Sequence, residues 1–389
     1  MKKKYIIFQL FLISFYFIGC SLSEPYIKPG LKTQSISPDD SVEFKLYLIG
    51  DAGKTNKEDF SEVFVALKND AGSTPGKSFI LFLGDNLYPN GMAEPGSSER
   101  ELSEFYVDKQ LEVFSEGVEG AFIPGNHDWA LNSPKGQEIL KMQEDYILSK
   151  NIKGVSFLPS SGCPGPNYID LPGNIRVIIG DSQWWLRNFN SVVDTVSDCD
   201  TKSIDEYIVN LENILETSEG KTVVYAQHHP LFSSGEHGGF FDWKNHLFPL
   251  RNVAKWAYIP LPVAGSIYPL LRNNGITPQD VSHSSYKSLI ERLDTIFKKY
   301  PPLLTVSGHD HNLQINKVEG KNYYSVISGR GTKRVSGDLT YKDFTIFAAP
   351  NPGYMVLNKT FKGKFFLSVV IPGESGEIIT VFRTELSVN

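Results

Sequence analysis

Short apolar runs of strand character recur along the chain, and stretches with helical periodicity separate them. The strand-like runs cover residues 45–49, 79–83, 121–123, 222–226 and 303–306. The helix-like stretches cover residues 57–69, 99–113, 136–148, 204–217 and 284–299. Strands that alternate with helices are typical of layered domains, so this part of the chain predicts an α/β fold.

Beyond residue 308 the hydrophobic pattern changes. The strand-like runs 313–318, 323–327, 353–357, 365–371 and 377–383 follow one another without helical stretches between them. We therefore expect an antiparallel half that closes the fold. Residues 238–279, rich in Pro, Trp and Asn, are predicted to be a loop insertion over one edge. Together these features predict one domain, residues 43–389, built as a four-layer α/β/β/α sandwich.

A polar motif follows each of the first five strand-like runs. The motifs are Asp51-Ala52-Gly53, Gly84-Asp85-Asn86-Leu87-Tyr88, Gly125-Asn126-His127-Asp128, Tyr225-Ala226-Gln227-His228 and Gly308-His309-Asp310-His311. Residues at the carboxyl ends of neighbouring strands can converge on one point. Carboxylates, an amide oxygen, imidazoles and a phenolate suit hard or borderline cations. Two cations there would bind a phosphoryl oxygen and lower the pKa of bound water toward ~7. The pattern therefore predicts a two-metal phosphoesterase site.

The N-terminus has the pattern of an export signal. A basic start at residues 2–4 precedes a short apolar run at residues 5–18, too short for a typical spanning helix. Gly19-Cys20 then resembles a bacterial lipobox. We expect residues 1–19 to be a lipoprotein-type signal peptide, Cys20 to carry lipid, and residues 20–42 to form a tether. The protein would then be exported and anchored to a membrane. An ordinary cleaved signal, leaving a periplasmic or secreted protein, is the alternative.

Composition and charge narrow the remaining possibilities. A 41% hydrophobic content with 21% charged residues describes a globular chain with a sizeable core. The net charge of −6, with no basic run interleaved with aromatics, argues against a nucleic-acid groove. If Cys20 is lipidated, Cys163 and Cys199 remain, and in an exported protein they are expected to form a disulfide. Two buried free thiols are the alternative.

The motif set resembles the calcineurin-like metallophosphoesterases, and more closely the purple, or tartrate-resistant, acid phosphatases. The resemblance covers roughly residues 44–331. Its most specific feature is Tyr88 within Gly-Asp-x-x-Tyr, and Glu236-His237-Gly238 is a further match. Two positions depart from the family pattern: Tyr225 stands where a Val is usual, and His229 follows His228 where a Tyr is common. Either histidine could then be the ligand, and the spacing before Pro230 favours His228.

The resemblance implies a role for each matched residue. The residues implied to hold a ferric ion are Asp51, Asp85, Tyr88 and His311. Those implied to hold a divalent iron, zinc or manganese ion are Asp85, Asn126, His228 and His309, so that Asp85 bridges the two metals. His127 and His237 correspond to histidines that orient the phosphate or protonate the leaving group.

The function that the resemblance implies is an acid phosphatase that hydrolyses small phosphate monoesters through metal-bound hydroxide. A phosphodiesterase or nucleotide phosphohydrolase could use the same metal site, with residues 238–279 deciding between the substrates. A non-catalytic exported lipoprotein that keeps the fold is the alternative of another class.

Overall fold

Two mixed β-sheets lie at the centre of the protein, whose computed structural model describes residues 19–54, 61–187, 199–252 and 256–387. The predicted signal peptide therefore lies outside the described residues, except for Gly19. Within the described ranges, no helix combines the length and the apolar character needed to cross a bilayer.

The first sheet joins a parallel half to an antiparallel half. Its strands are β2 (Val42–Ile49), β3 (Ser78–Phe82), β4 (Glu119–Phe122), β5 (Val155–Phe157), β13 (Tyr354–Thr360), β14 (Phe365–Val370) and β15 (Thr380–Leu386). Their order is β15-β14-β13-β2-β3-β4-β5. Strands β2 to β5 run parallel, whereas β13, β14 and β15 extend the sheet from β2 by antiparallel pairing.

The second sheet is also mixed. Its strands are β1 (Tyr26–Ile27), β6 (Asn167–Leu171), β7 (Ile175–Ile179), β8 (Thr222–Ala226), β9 (Leu304–Ser307), β10 (Leu313–Asn316), β11 (Tyr324–Ser328) and β12 (Thr345–Ala349). Their order is β1-β12-β10-β11-β9-β8-β7-β6. Strands β7, β8, β9 and β11 are parallel, and the outer strands pair antiparallel.

Eight α-helices lie in the described ranges, and several of them cover the outer faces of the two sheets. They are α1 (Glu62–Gly72), α2 (Arg100–Leu111), α3 (Gly136–Ser149), α4 (Ser182–Arg187), α5 (Ile204–Glu216), α6 (Trp243–Leu247), α7 (Ile267–Asn273) and α8 (Ser284–Lys299). Helices α1 and α3 pack against β3 and β5 of the first sheet. On the second sheet, the Phe297 ring of α8 lies 5.1 Å from that of Tyr225 in β8, and α4 and α5 pack against α8.

Alternating side chains of the strands fill two separate cores. In β2, Leu46 and Leu48 face the space between the sheets, and Tyr47 and Ile49 face the helices. Both faces of the sheets are therefore buried, which explains why the strands are continuously apolar in sequence. The predicted four-layer α/β/β/α sandwich is confirmed.

The strands after residue 308 depart from the prediction of one antiparallel half. They divide between the two sheets. Strand β11 lies between β9 and β10, parallel to β9 and antiparallel to β10. Strand β12 (Thr345–Ala349) was not predicted. Hydrophobic alternation shows that a strand has buried faces, but it does not show which partner the strand takes.

The segment predicted as a tether pairs with the domain along part of its length. Strand β1 adds to the edge strand β12, and the backbone of Leu22 donates to Leu339 (2.8 Å). Farther along, the backbone of Gln34 donates to Arg383 (2.8 Å). The unpaired backbone groups of an edge strand supply these partners, so this segment differs from the free tether that its composition suggested.

Cys163 and Cys199 form the expected disulfide, with their Cα atoms 5.6 Å apart. The bond joins the segment before β6 to the segment before α5 and closes a loop with a sequence separation of 36. Cys20 is a free and exposed cysteine.

We expect the double substitution Cys163→Ser with Cys199→Ser to lower the free energy of unfolding by about 3–4 kcal/mol, because the loop is no longer closed in the unfolded chain. Guanidinium denaturation followed by circular dichroism measures this change. Cys20→Ser is the matched control, since it removes a cysteine without opening a loop. Equal stability of the two variants would contradict the prediction.

Candidate metal centre

The predicted site residues converge where the carboxyl ends of the parallel strands of both sheets meet. Strands β2, β3 and β4 of the first sheet lead into Asp51, Asp85 and Asn126, respectively. Strands β8 and β9 of the second sheet lead into His228 and His309. All five side chains are buried. The layered fold therefore brings motifs that are far apart in sequence to one place.

One group of donors consists of Asp51, Tyr88 and His311. The Tyr88 hydroxyl donates to Asp51 Oδ1 at 2.9 Å and lies 3.2 Å from His311 Nε2. His311 Nε2 is in turn 3.4 Å from Asp51 Oδ1. Three of the four residues that the resemblance assigns to a ferric ion are thus in mutual contact.

A second group consists of Asn126, His228 and His309. Asn126 Oδ1 lies 3.0 Å from His228 Nε2 and 3.0 Å from His309 Nδ1. Three of the four residues assigned to a divalent ion therefore surround one amide oxygen.

Asp85 connects these two groups. Its Oδ1 lies 3.4 Å from His228 Nε2 and accepts a hydrogen bond from the backbone of His127 (2.9 Å). Donor atoms of Asp51, Asp85 and His228 lie within 4.8 Å of one another, close enough to hold one ion. Burial alone would raise the pKa of Asp85, but the imidazoles of His228 and His127 outweigh it and hold this pKa well below its usual range. Asp85 is therefore an anion at the centre of the site.

The hydrogen bonds around the imidazoles fit a cation. His228 Nδ1 lies 2.7 Å from the carbonyl oxygen of Leu83, and His309 Nε2 lies 2.9 Å from the carbonyl oxygen of Gln279. Because a carbonyl can only accept, these nitrogens carry the proton of a neutral ring. The other nitrogen of each ring then directs a lone pair at Asn126 Oδ1, which is also an acceptor. Metal-binding histidines commonly have this arrangement, with the second nitrogen donating to a carbonyl.

The surroundings of Tyr88 also favour a nearby cation. Burial, followed by the carboxylates of Asp51 and Asp85, raises the pKa of the Tyr88 phenol well above its ordinary value. A tyrosinate at this position therefore requires a nearby cation. For His228, burial is outweighed by Asp85, which raises the pKa of the imidazole to about 9. The surroundings of His228 therefore favour a positive charge, from a proton or a metal ion, at the position that its Nε2 faces.

The backbone at the site is strained in a way that is common at functional sites. Asp51, Asp85 and His309 have φ values of 56°, 54° and 69°, in the left-handed region that side chains with a Cβ rarely adopt. Gly84 has a φ of 86°, and a Cβ there would lie 2.6 Å from His228 Nδ1. These turns redirect the chain so that the side chains point at a common centre.

His127 and His237 lie on the open side of the site, with 25% and 20% of their side chains exposed. The His127 ring packs on Tyr88, with centroids 4.3 Å apart, and its Nε2 is 4.0 Å from Asp85 Oδ2. The His237 ring lies 3.8 Å from that of His309. Both predicted catalytic histidines can therefore reach a substrate that contacts the buried donors.

Two residues that no sequence motif indicates hold His237 in place. His237 Nδ1 lies 3.0 Å from Asp280 Oδ1, and Arg272 Nε donates to Asp280 Oδ2 at 2.8 Å. Burial would raise the pKa of Asp280, but hydrogen bonds from Arg272 and His237 hold it below its usual range. Arg272 and Asp280 belong to no motif, so nothing in the sequence pattern indicated their roles.

The structure places His228, and not His229, beside Asp85. His229 Nδ1 lies 2.8 Å from the Ser182 hydroxyl, and its Nε2 lies 2.8 Å from Gln279 Oε1. Burial, followed by the neighbouring His228, holds the pKa of His229 well below its ordinary value. His229 is therefore a neutral side chain that links the metal-centre loops to α4.

Comparisons with known proteins agree with this geometry. The family model described as calcineurin-like phosphoesterase matches residues 44–313. Purple acid phosphatase PPD1 from yellow lupin seeds is a similar solved structure, with a TM-score of 0.54 and 14% identity over 90% of this chain and 54% of that chain. Another is GAP50, the anchor in the inner membrane complex of Plasmodium, with a TM-score of 0.52 and 15% identity over 90% of both chains.

At these identities the structural likeness shows the fold alone. No curated protein matches the sequence. The family model, however, covers more than half of the chain and includes the first four motifs and the histidines of the fifth. The predicted resemblance is thus confirmed: the chain belongs to the calcineurin-like phosphoesterase family.

Proposed function

We propose that this protein is a binuclear-metal acid phosphatase that hydrolyses monoesters of phosphate in small molecules. The observation that supports this proposal is the pair of donor groups joined through Asp85. Asp51, Tyr88 and His311 form one group, and Asn126, His228 and His309 form the other. Each group has donors for one cation, and the buried Asp85 lies between them.

The proposed cofactors are a ferric ion and a divalent iron, zinc or manganese ion. The ferric ion would be held by Asp51, Asp85, Tyr88 and His311, and the divalent ion by Asp85, Asn126, His228 and His309. Bound there, the two ions would supply positive charge for the phosphoryl group and lower the pKa of water.

The residues of the chain itself bind and orient the substrate. His127 and His237 lie on the open side, where they can hydrogen bond to phosphate oxygens or protonate the leaving alkoxide. Because Asp280 and the carbonyl of Gln279 accept from His237 Nδ1, the Nε2 of this ring is left for the substrate. A ferric ion would acidify its bound water more strongly than a divalent ion would, which supports an acidic optimum.

The first test compares substrates on one purified sample. We expect the metal-loaded protein to hydrolyse a chromogenic phosphate monoester faster than the matching diester. Asp85→Asn should abolish turnover and lower the bound metal, because it removes the charge shared by both donor groups. Asp200→Asn, at an exposed carboxylate, is the matched control and should keep both properties.

Preferential turnover of the diester would instead support a phosphodiesterase or nucleotide phosphohydrolase on the same metals. Metal binding without any turnover would support the non-catalytic binding protein. Near-normal metal content and turnover in Asp85→Asn would contradict the placement of Asp85 between the metals.

Tyr88 allows a spectroscopic prediction. A phenolate bound to ferric iron donates charge to the metal and produces a visible absorption, so the iron-loaded protein should be coloured. Tyr88→Phe should lose the colour and keep part of the iron, because Asp51, Asp85 and His311 remain. Absorption spectra and iron content of both proteins measure this. Tyr106→Phe is the matched control, since Tyr106 packs against the hydrophobic core. A colourless iron-loaded wild-type protein would exclude Tyr88 as a ligand.

We also propose that the protein is exported and anchored through a lipid on Cys20, which is exposed. The sequence features that support this are the basic start, the apolar run of residues 5–18 and the Gly19-Cys20 pair. The mature protein is expected to begin at an acylated Cys20, and mass spectrometry of the N-terminal peptide tests this. A free amine beyond residue 20 would indicate a periplasmic or secreted protein instead.

A further inference from the structure

The insertion between β8 and α8 exposes a large apolar surface, which we call the apolar patch. It consists of Trp256, Tyr258, Ile259, Val263, Ile267 and Leu270, all more than half exposed and Trp256 as much as 82%. Elsewhere in the described ranges, exposed large hydrophobic residues such as Leu148, Val209 and Phe361 lie on separate elements. Single exposed hydrophobic residues are normal on a protein surface, but a cluster of this kind marks an interaction site.

Packing around helix α6 (Trp243–Leu247) holds the apolar patch in place. Helix α6 packs against α7 and against the turns at Pro249–Asn252 and Ala264–Ser266. The backbone of Leu261 donates to Leu247 at 2.8 Å, and the ring of Tyr258 lies 5.5 Å from that of Phe248. The helices and turns that carry the patch residues are therefore packed against one another.

The charge of this insertion is opposite to that of the whole chain. Residues 238–279 include four basic residues, Lys244, Arg251, Lys255 and Arg272, and one acidic residue, Asp242, although the net charge of the chain is −6. Arg272 pairs with Asp280, whereas Lys244 is exposed. Tryptophan and tyrosine beside aliphatic and basic side chains are typical of surfaces that lie in the interface of an anionic bilayer.

The start of the described chain lies directly against this insertion. The backbone of Trp243 donates to Gly19 (3.1 Å), and the backbone of Ser21 donates to Asp242 Oδ2 (2.8 Å). The exposed Cys20 is therefore next to the first turn of α6. A lipid on Cys20 would therefore leave the domain at the insertion that carries the patch.

We propose that the apolar patch rests on the surface of an anionic lipid bilayer, beside the point where the N-terminus is held. A lipid on Cys20 attaches only the N-terminus to the bilayer, so a second contact fixes the orientation of the domain. The bilayer contact does not depend on the phosphatase activity, because none of the patch residues belongs to the metal centre.

Trp256 makes the contact measurable with the full exported chain. The protein is mixed with vesicles of phosphatidylglycerol and phosphatidylethanolamine whose acyl chains carry bromine, which quenches tryptophan at close range. We expect strong quenching, which Trp256→Phe removes in large part, because Trp129, Trp184 and Trp185 are buried and Trp243 is partly buried in α6. Vesicles of phosphatidylcholine alone should give weaker quenching, since they lack the negative charge.

Leu270→Glu should lose most of the quenching, because it places a carboxylate in the apolar patch. Val209→Glu is the matched control: both side chains are 56% exposed, both lie on helices, and both substitutions add the same charge. Circular dichroism should show both variants folded. If Leu270→Glu unfolds, the Trp256→Phe comparison still decides the matter.

Two results would overturn the proposal. The first is a failure of the quenching test: anionic vesicles do not quench the wild-type protein, or they quench Leu270→Glu and Val209→Glu equally. The second is a dimer in analytical ultracentrifugation that Leu270→Glu dissociates, with Trp256 not quenched by vesicles, which would assign the patch to a second copy of this chain. If anionic vesicles quench the wild-type protein but the metal-loaded protein has no phosphatase activity, only the proposed function is contradicted.

Discussion

The buried acceptors around Asp85 impose the main physical constraint on this structure. Asp85, Asp51 and Asn126 direct oxygen lone pairs into a space that also receives lone pairs from His228 and His309. Buried charges and acceptors are costly unless they are paired with positive charge. Positive charge from protons can compensate only in part, because each of these two imidazoles already donates one nitrogen to a backbone carbonyl. The arrangement becomes favourable when cations occupy the centre, which explains why these side chains are held together.

Holding the acceptors there requires support from the surrounding loops. Asp128 accepts hydrogen bonds from the backbone of Gly125 (2.8 Å) and Asn86 (3.0 Å), as well as from the side chain of Gln143 (3.0 Å). It thereby joins the loop after β4 to the loop after β3. Burial, followed by the charge of Asp85, raises the pKa of Asp128 to about 7. The left-handed backbone of Asp51, Asp85 and His309 is stable only because such contacts determine each turn.

Sequence patterns predicted the parts of this protein that depend on local regularity. The apolar runs gave most of the strands, and the motifs at their ends identified residues that the fold brings together. Strand β12 was missed because its run of five residues lies between loops and has no polar motif after it. Only its partners, β10 and β1, identify it as a strand. Arg272 and Asp280 were missed for a related reason. An arginine and an aspartate eight residues apart have no local signature, and their role depends on where α7 places them relative to His237.

Helix α7 connects the metal centre to the surface of the insertion. One side of this short helix presents Ile267 and Leu270 to the outside, and from the other side Arg272 reaches Asp280 and so His237. A helix with two such faces fixes the distance between the outer surface and the open side of the metal centre. Any surface bound by the insertion is therefore held at a set position relative to His237. Residues 238–279, which lie outside the strand framework, thus carry both the apolar patch and Arg272, which supports Asp280 and His237.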